Sequence, residues 1–286
     1  MDQVFSKITC CLGGIVLAIS GSTGAQEAPL AAQAPASIDL TNFPGTVVDK
    51  VVVPVPGEIF RVLDKLGNPD WAEEIQLPES RISRDRVRLA LVFGGTVAEG
   101  FIAVQAEQRA PIQDVGRRVL DLAAALSLRD DVLPHYQSID DGAAAGDWRI
   151  VRQELDKTEQ TVRTRMVTLQ DDELAELVSI GGWLRGTKAV SALISEAYSV
   201  DKAEILNQPG LVKHFEEVLS KMSSRTREKE DVELIAVGLA EIHAILDAAA
   251  EVGIAEPDVA AVGEICDRLL GRFYFDVDVT REVIQP

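Results

Sequence analysis

Residues 86–106, RVRLALVFGGTVAEGFIAVQA, form the most apolar stretch beyond the N-terminal region, and Gly94, Gly95 and Gly100 interrupt it. Apolar side chains fall on nearly every side of such a segment, the pattern of a helix buried all round. Glycine inside a helix costs about 1 kcal/mol relative to alanine. Three of them therefore need a compensating close approach by a neighbour. Residues 174–198, LAELVSIGGWLRGTKAVSALISEAY, repeat the theme with Gly181, Gly182 and Gly186. The two patterns differ in spacing by one residue and their flanks do not align over a fixed period, so no named repeat is supported.

Around these two segments the chain predicts an all-α fold of about nine helices with little or no sheet. Ile112, Val115, Val119, Leu122 and Leu126 follow the alternating three- and four-residue spacing of one helix face. Asp147 suits the cap of a long helix reaching Leu169, with a narrow seam of Trp148, Val151, Leu155, Val162, Met166 and Leu169. Pro209 opens a further helix, and Val232 to Val252, ended by Gly253, is a third Ala-rich apolar one. Glu256-Pro257-Asp258 begins the last, running to Leu270. Between them, Arg129 to Ser138 reads as a short helical piece containing Pro134, and Asp140 to Gly146 as a flexible connection. Thr46 to Pro56 is β-branched and interrupted by proline, hence extended and at most weakly paired. Phe273 to Val279 alternates and reads as an extended tail.

The ends of the chain carry the address. Residues 1–25 have the layout of a secretory signal: Lys7, then the apolar Ile8 to Ile19, then small residues ending at Ala25. Residues 26–45, rich in Ala and Pro, form a spacer, and 46–286 a single helical domain. The expected location is the periplasm or the exterior, with no stable membrane span after cleavage; a retained anchor is the alternative. Past residue 25 only Cys266 remains, which excludes an internal disulfide and a cysteine zinc site. The net charge of -18, from 46 acidic and 28 basic side chains, argues against nucleic acid and anionic lipid as partners.

Catalytic patterns are missing: there is no Gly-x-Ser-x-Gly elbow, phosphate loop or HExxH pair, and no cofactor is implied. Asp131 and His135 stand four apart, but Pro134 lies between them, so no metal site is expected. His214 and His243 read as core-edge residues, and Trp71 and Trp148 as contact candidates if exposed. Gly94, Gly95, Gly100, Gly182 and Gly186 read first as helix-packing positions. The sharper reading is that the face shared by Ala175, Gly182, Gly186, Ala189 and Leu193, short of side chains at its small residues, leaves concave space for a ligand. Glu99 lies on the least apolar strip of its helix, beside Arg88 and Thr96, and an exposed seam accounts for it. Buried, it would need Arg88 or Arg185 as partner. Glu99, Trp183 and Arg185 are therefore the candidate ligand-binding residues. Two functions follow: an exported helical scaffold that binds a protein partner or a second copy of itself, or a small-molecule-binding protein or unfamiliar enzyme with its pocket at the Gly-rich helices.

Overall fold

The computed structural model describes residues 45–48, 51–54, 63–78 and 82–275. The signal segment, the spacer up to residue 44 and the tail from residue 276 lie outside the described residues. Gly45–Val48 (β1) and Val51–Pro54 (β2) pair antiparallel, Thr46 opposite Val53, and this hairpin lies against α6, defined below. Residues 63–78 follow as a strap holding one 3₁₀ turn, Asp64–Leu66.

Eight helices of 13 to 25 residues then account for most of the described chain: α1 Arg86–Gln105, α2 Arg109–Ala125, α3 Arg129–Ala145, α4 Trp148–Thr168, α5 Asp172–Glu196, α6 Pro209–Lys221, α7 Glu230–Ala249 and α8 Glu256–Phe273. The all-α expectation holds. α1 and α5, the two Gly-interrupted segments, cross at the centre; α2, α3 and α4 flank them in succession, and α8 packs on α5 with α7 and α6 behind it. α1 is long and apolar enough to cross a membrane, but 78% of its most apolar window is buried in the protein, as befits a core helix.

The first four helices end alike. Glu107, Ser127, Gly146 and Gln170 adopt positive φ at 53°, 64°, 70° and 60°. The next amide in each case reaches back to close the last turn: Gln108 to Ala103, Leu128 to Ala123, Asp147 to Gly142 and Asp171 to Met166. These left-handed caps satisfy the terminal carbonyls and turn the chain within two or three residues, so each helix returns against the one before it.

The start caps follow the sequence in part. Asp147 accepts from the Ile150 amide as expected. Asp85 caps α1 through the Val87 amide and also binds Lys229. Asp171 stands at the start of α5 without capping it; its carboxylate takes both terminal nitrogens of Arg86 instead.

The expected break after Ser138 is absent, since α3 runs unbroken to Ala145. Pro134 lies inside it, past the first turn, and costs one backbone hydrogen bond without ending the helix. Gly142 is small because α4 comes close: a Cβ there would stand 3.1 Å from Val151, while Ala144 and Ala145 are exposed. Similarly, the last helix outruns its expected end at Leu270, because Phe273 and Tyr274 are buried.

Candidate functional site

The α1–α5 crossing is made backbone to backbone. A Cβ on Gly94 would meet the Val178 carbonyl, and one on Gly181 the Leu91 carbonyl, both far inside the 3.0 Å that real Cβ contacts respect. A Cβ on Gly182 would stand 3.2 Å from the Gly94 carbonyl oxygen, and one on Gly95 only 2.8 Å from the Tyr274 ring. Gly181, central to this contact, belongs with Gly94 and Gly182 among the packing glycines. A Cβ on Gly100 would meet Val115 at an ordinary 3.6 Å, so that position does not require glycine for space. Gly186 corrects its packing assignment: nothing lies within 4 Å of where its side chain would begin.

What Gly186 faces is a cavity of about 290 Å³. Ala175, Gly182, Gly186 and Ala189 of α5 line it, four of the five residues on the expected concave face; Leu193, the fifth, does not. Phe93, Val97 and Phe101 of α1 and Val162 and Met166 of α4 form further walls. Trp183, whose ring stands edge-on to Phe215 of α6 at 5.7 Å, lines it too. Leu63 and Trp71 of the strap line it as well, as do Leu206 and Leu211, and the space stays partly open to solvent. Trp71 is thus buried, and Trp148 half-buried against a smaller second cluster, so neither is the exposed contact residue the sequence allowed.

Polar groups in the wall are few and mostly spoken for. Thr158 donates to the Glu154 carbonyl and Ser179 to that of Ala175. Arg163 bonds Glu159 at 3.0 Å and Ser179 at 3.4 Å, and Gln208 donates to the Ile205 carbonyl. No charge in the wall awaits a counter-charge from a ligand.

Trp183 and Arg185 are two residues apart on a helix and so point about 200° apart. Grouping both with Glu99 at one site is therefore corrected: Trp183 faces the cavity, while Arg185 meets Glu99 on the other flank of the crossing. Glu99 is not on an exposed seam; it and Arg185 are both 0% exposed. Arg185 Nε donates to Glu99 Oε1, and Nη2 donates to the backbone carbonyl of Glu74 in the strap. The Gln76 amide donates to Glu99 Oε2 at 3.1 Å. Arg88, the other partner considered, engages Asp231 and the Arg272 carbonyl.

Three buried atoms around this pair find no hydrogen-bond partner of acceptable geometry among the described residues: Arg185 Nη1, Glu74 Oε2 and the Tyr274 hydroxyl. Burial lifts the Glu74 carboxyl above its ordinary value; Arg185 and Lys188 pull against that rise, and Glu196 and Glu99 add to it. The Tyr274 phenol is raised far more, first by burial and then by the nearby Glu99 carboxylate. Both shifts run against ionisation, and the cluster offers hydrogen-bonding groups but no activated nucleophile. Cys266 offers none either, since burial pushes its thiol up to about 12.

The histidines are engaged elsewhere. His135 touches Glu154 at 3.1 Å and Thr161 at 2.9 Å, while Asp131 pairs with Arg165. His243 meets Glu216 at 2.7 Å, and His214 is buried beside Phe215. Among the described residues no three His, Cys, Asp or Glu side chains converge as metal ligands. No protein-family model, curated protein or solved structure matches the chain.

Proposed function

We propose that this protein binds an uncharged, largely apolar small molecule in the cavity between α1, α4 and α5, and does so as an exported protein. The observation that carries this is Gly186: a glycine inside a helix, with no neighbour to require it, opening onto an apolar space of about 290 Å³. Its cost of about 1 kcal/mol has no packing return, and lost packing around an unfilled apolar space costs more. A ligand supplies the missing contacts. A dry cavity of about 150 Å³ accepts benzene, so this one suits a molecule of roughly a dozen carbon atoms. Wall polar groups already satisfied within the protein favour a ligand without charge, and a chain carrying -18 repels anions at long range.

The test is a fluorescence titration with 2-naphthol, uncharged at pH 7, against the mature chain and Gly186→Leu. Saturable one-to-one binding to the first and none to the second is expected, with the Leu variant at least as heat-stable as wild type. Decan-1-ol should displace the probe and decanoate should do so far less well. Equal binding by Gly186→Leu, or no saturable binding at all, overturns the reading; preference for decanoate overturns the neutral ligand class.

A further inference from the structure

The buried Glu99–Arg185 pair sits apart from the cavity, yet one piece of chain touches both. The strap places Leu63 and Trp71 in the cavity wall, and its Glu74 carbonyl and Gln76 amide are held by Arg185 and Glu99. We propose that residues 63–78 are a gate over the cavity, latched by this ion pair, through which the ligand enters and leaves. The inference rests on the cavity being a binding site.

The strap is suited to open alone. It holds a single three-residue 3₁₀ turn, and its backbone bonds from Gly67 to Ile75 are all local. Beyond the packing of buried Leu63, Leu66, Trp71 and Glu74 and of half-buried Ile75 against the apolar clusters, its long-range hydrogen bonds among the described residues are the two to the ion pair and a 3.5 Å contact from Lys188 Nζ to the Gln76 side chain. Segments with few long-range bonds open well before the core does. By contrast α1 and α5 are locked by backbone contact and cannot part without disrupting the core.

The ion pair does more here than neutralise itself. Arg185 gives one nitrogen to Glu99 and another to a strap carbonyl, while Glu99 gives one oxygen to Arg185 and the other to a strap amide. Each charge is thus bound to the strap and to its partner at once. Such charge-assisted bonds are about twice as strong as neutral ones, so the latch is strong when closed. Its release leaves Glu99 and Arg185 still paired, which limits the cost of opening.

Gln76 is exposed, and only its amide enters the latch. Gln76→Pro deletes that donor at an exposed side chain, and Gln76→Ala keeps it. A hydrogen bond to a charged group contributes about 1.5–3 kcal/mol, so its loss should speed strap opening roughly tenfold or more. The experiment has two arms on the full mature chain. Hydrogen exchange without ligand should show amides 71–75 exchanging together, faster than those of α1 and α5, and faster again by about tenfold in Gln76→Pro but not Gln76→Ala. Stopped-flow with 2-naphthol should show association and release both accelerated by about tenfold in Gln76→Pro, with affinity changed less than about twofold. Strap amides that exchange only as slowly as the α1 and α5 core overturn the latch. Accelerated exchange with unchanged probe rates overturns the gate and leaves the binding site standing. If wild type takes up no probe, the binding reading falls and the gate with it, while the exchange arm still reads the latch.

Discussion

The two flanks of the α1–α5 crossing solve opposite problems with the same two helices. On one flank two charges are fully buried and hydrogen-bonded to each other and to the strap. On the other there is space and almost no polarity. The difference shows how little residue type alone determines: Gly94 and Gly186 are both helical glycines eight or fewer residues from a charged side chain of the pair, yet one is clamped by a carbonyl and the other faces a void. What separates them is the neighbour, not the residue.

The polar flank should be the more fragile. Arg185→Met leaves Glu99 buried without its partner and removes the Glu74 tie, which should cost about 3–5 kcal/mol in chemical denaturation. Adding Glu99→Met should recover much of that; a double variant as unstable as the sum of the singles would mean the pair is not the unit of stability. Next come Gly94→Ala and Gly181→Ala. Each puts a Cβ into a carbonyl that cannot move without its helix, and should cost about 2–3 kcal/mol. Gly186→Ala should have the opposite sign, raising stability by about 1 kcal/mol, and a loss of stability there would show that the open space is needed by the fold itself.

The smallest effect concerns Glu74. Its folded pKa lies above its unfolded value near 4.5, so its contribution grows more favourable as pH falls through the folded value and levels off below the unfolded one. Glu173 behaves in reverse. Burial raises it, but bonds from Thr226 and from the Ser223 amide and hydroxyl outweigh burial and leave it lowered. Its stabilisation is complete above the unfolded value and is lost as pH falls through the folded one. Glu74→Gln should therefore stabilise the strap at pH 7 and remove the local gain on mild acidification. Hydrogen exchange of residues 71–75 against pH measures this, and an unchanged profile would mean Glu74 does not load the strap.

Much of the fold was legible because it is written in helix periodicity. The faces of α2, α4 and α6 follow their apolar spacing, and the concave face of α5 was visible because all four of its small residues lie on one helix. Misread elements had their cause elsewhere in the chain. The end of α3 looked flexible because the helix that Gly142 accommodates, α4, comes later. Glu99 looked exposed because the cover over it comes from residues 74–76, and a wheel drawn for α1 holds no trace of them. Tyr274 looked like part of a tail, though its ring closes over Gly95. Trp183 and Arg185 were the one avoidable error, since their separation of two residues already sets them on opposite sides.

The glycine crossing also has a consequence in time. α1 meets α5 across the 86 residues between Glu99 and Arg185, whereas α1 to α4 are joined by turns of two or three residues. Contacts between chain neighbours form early, and distant ones must wait for the ends to be brought together. The crossing is thus expected to close late, so that Gly94→Ala hastens unfolding and barely alters refolding; a slowed refolding limb would instead put it in the nucleus. A hydrophobic molecule present during folding would then meet an open cleft and be taken in as α1 and α5 come together.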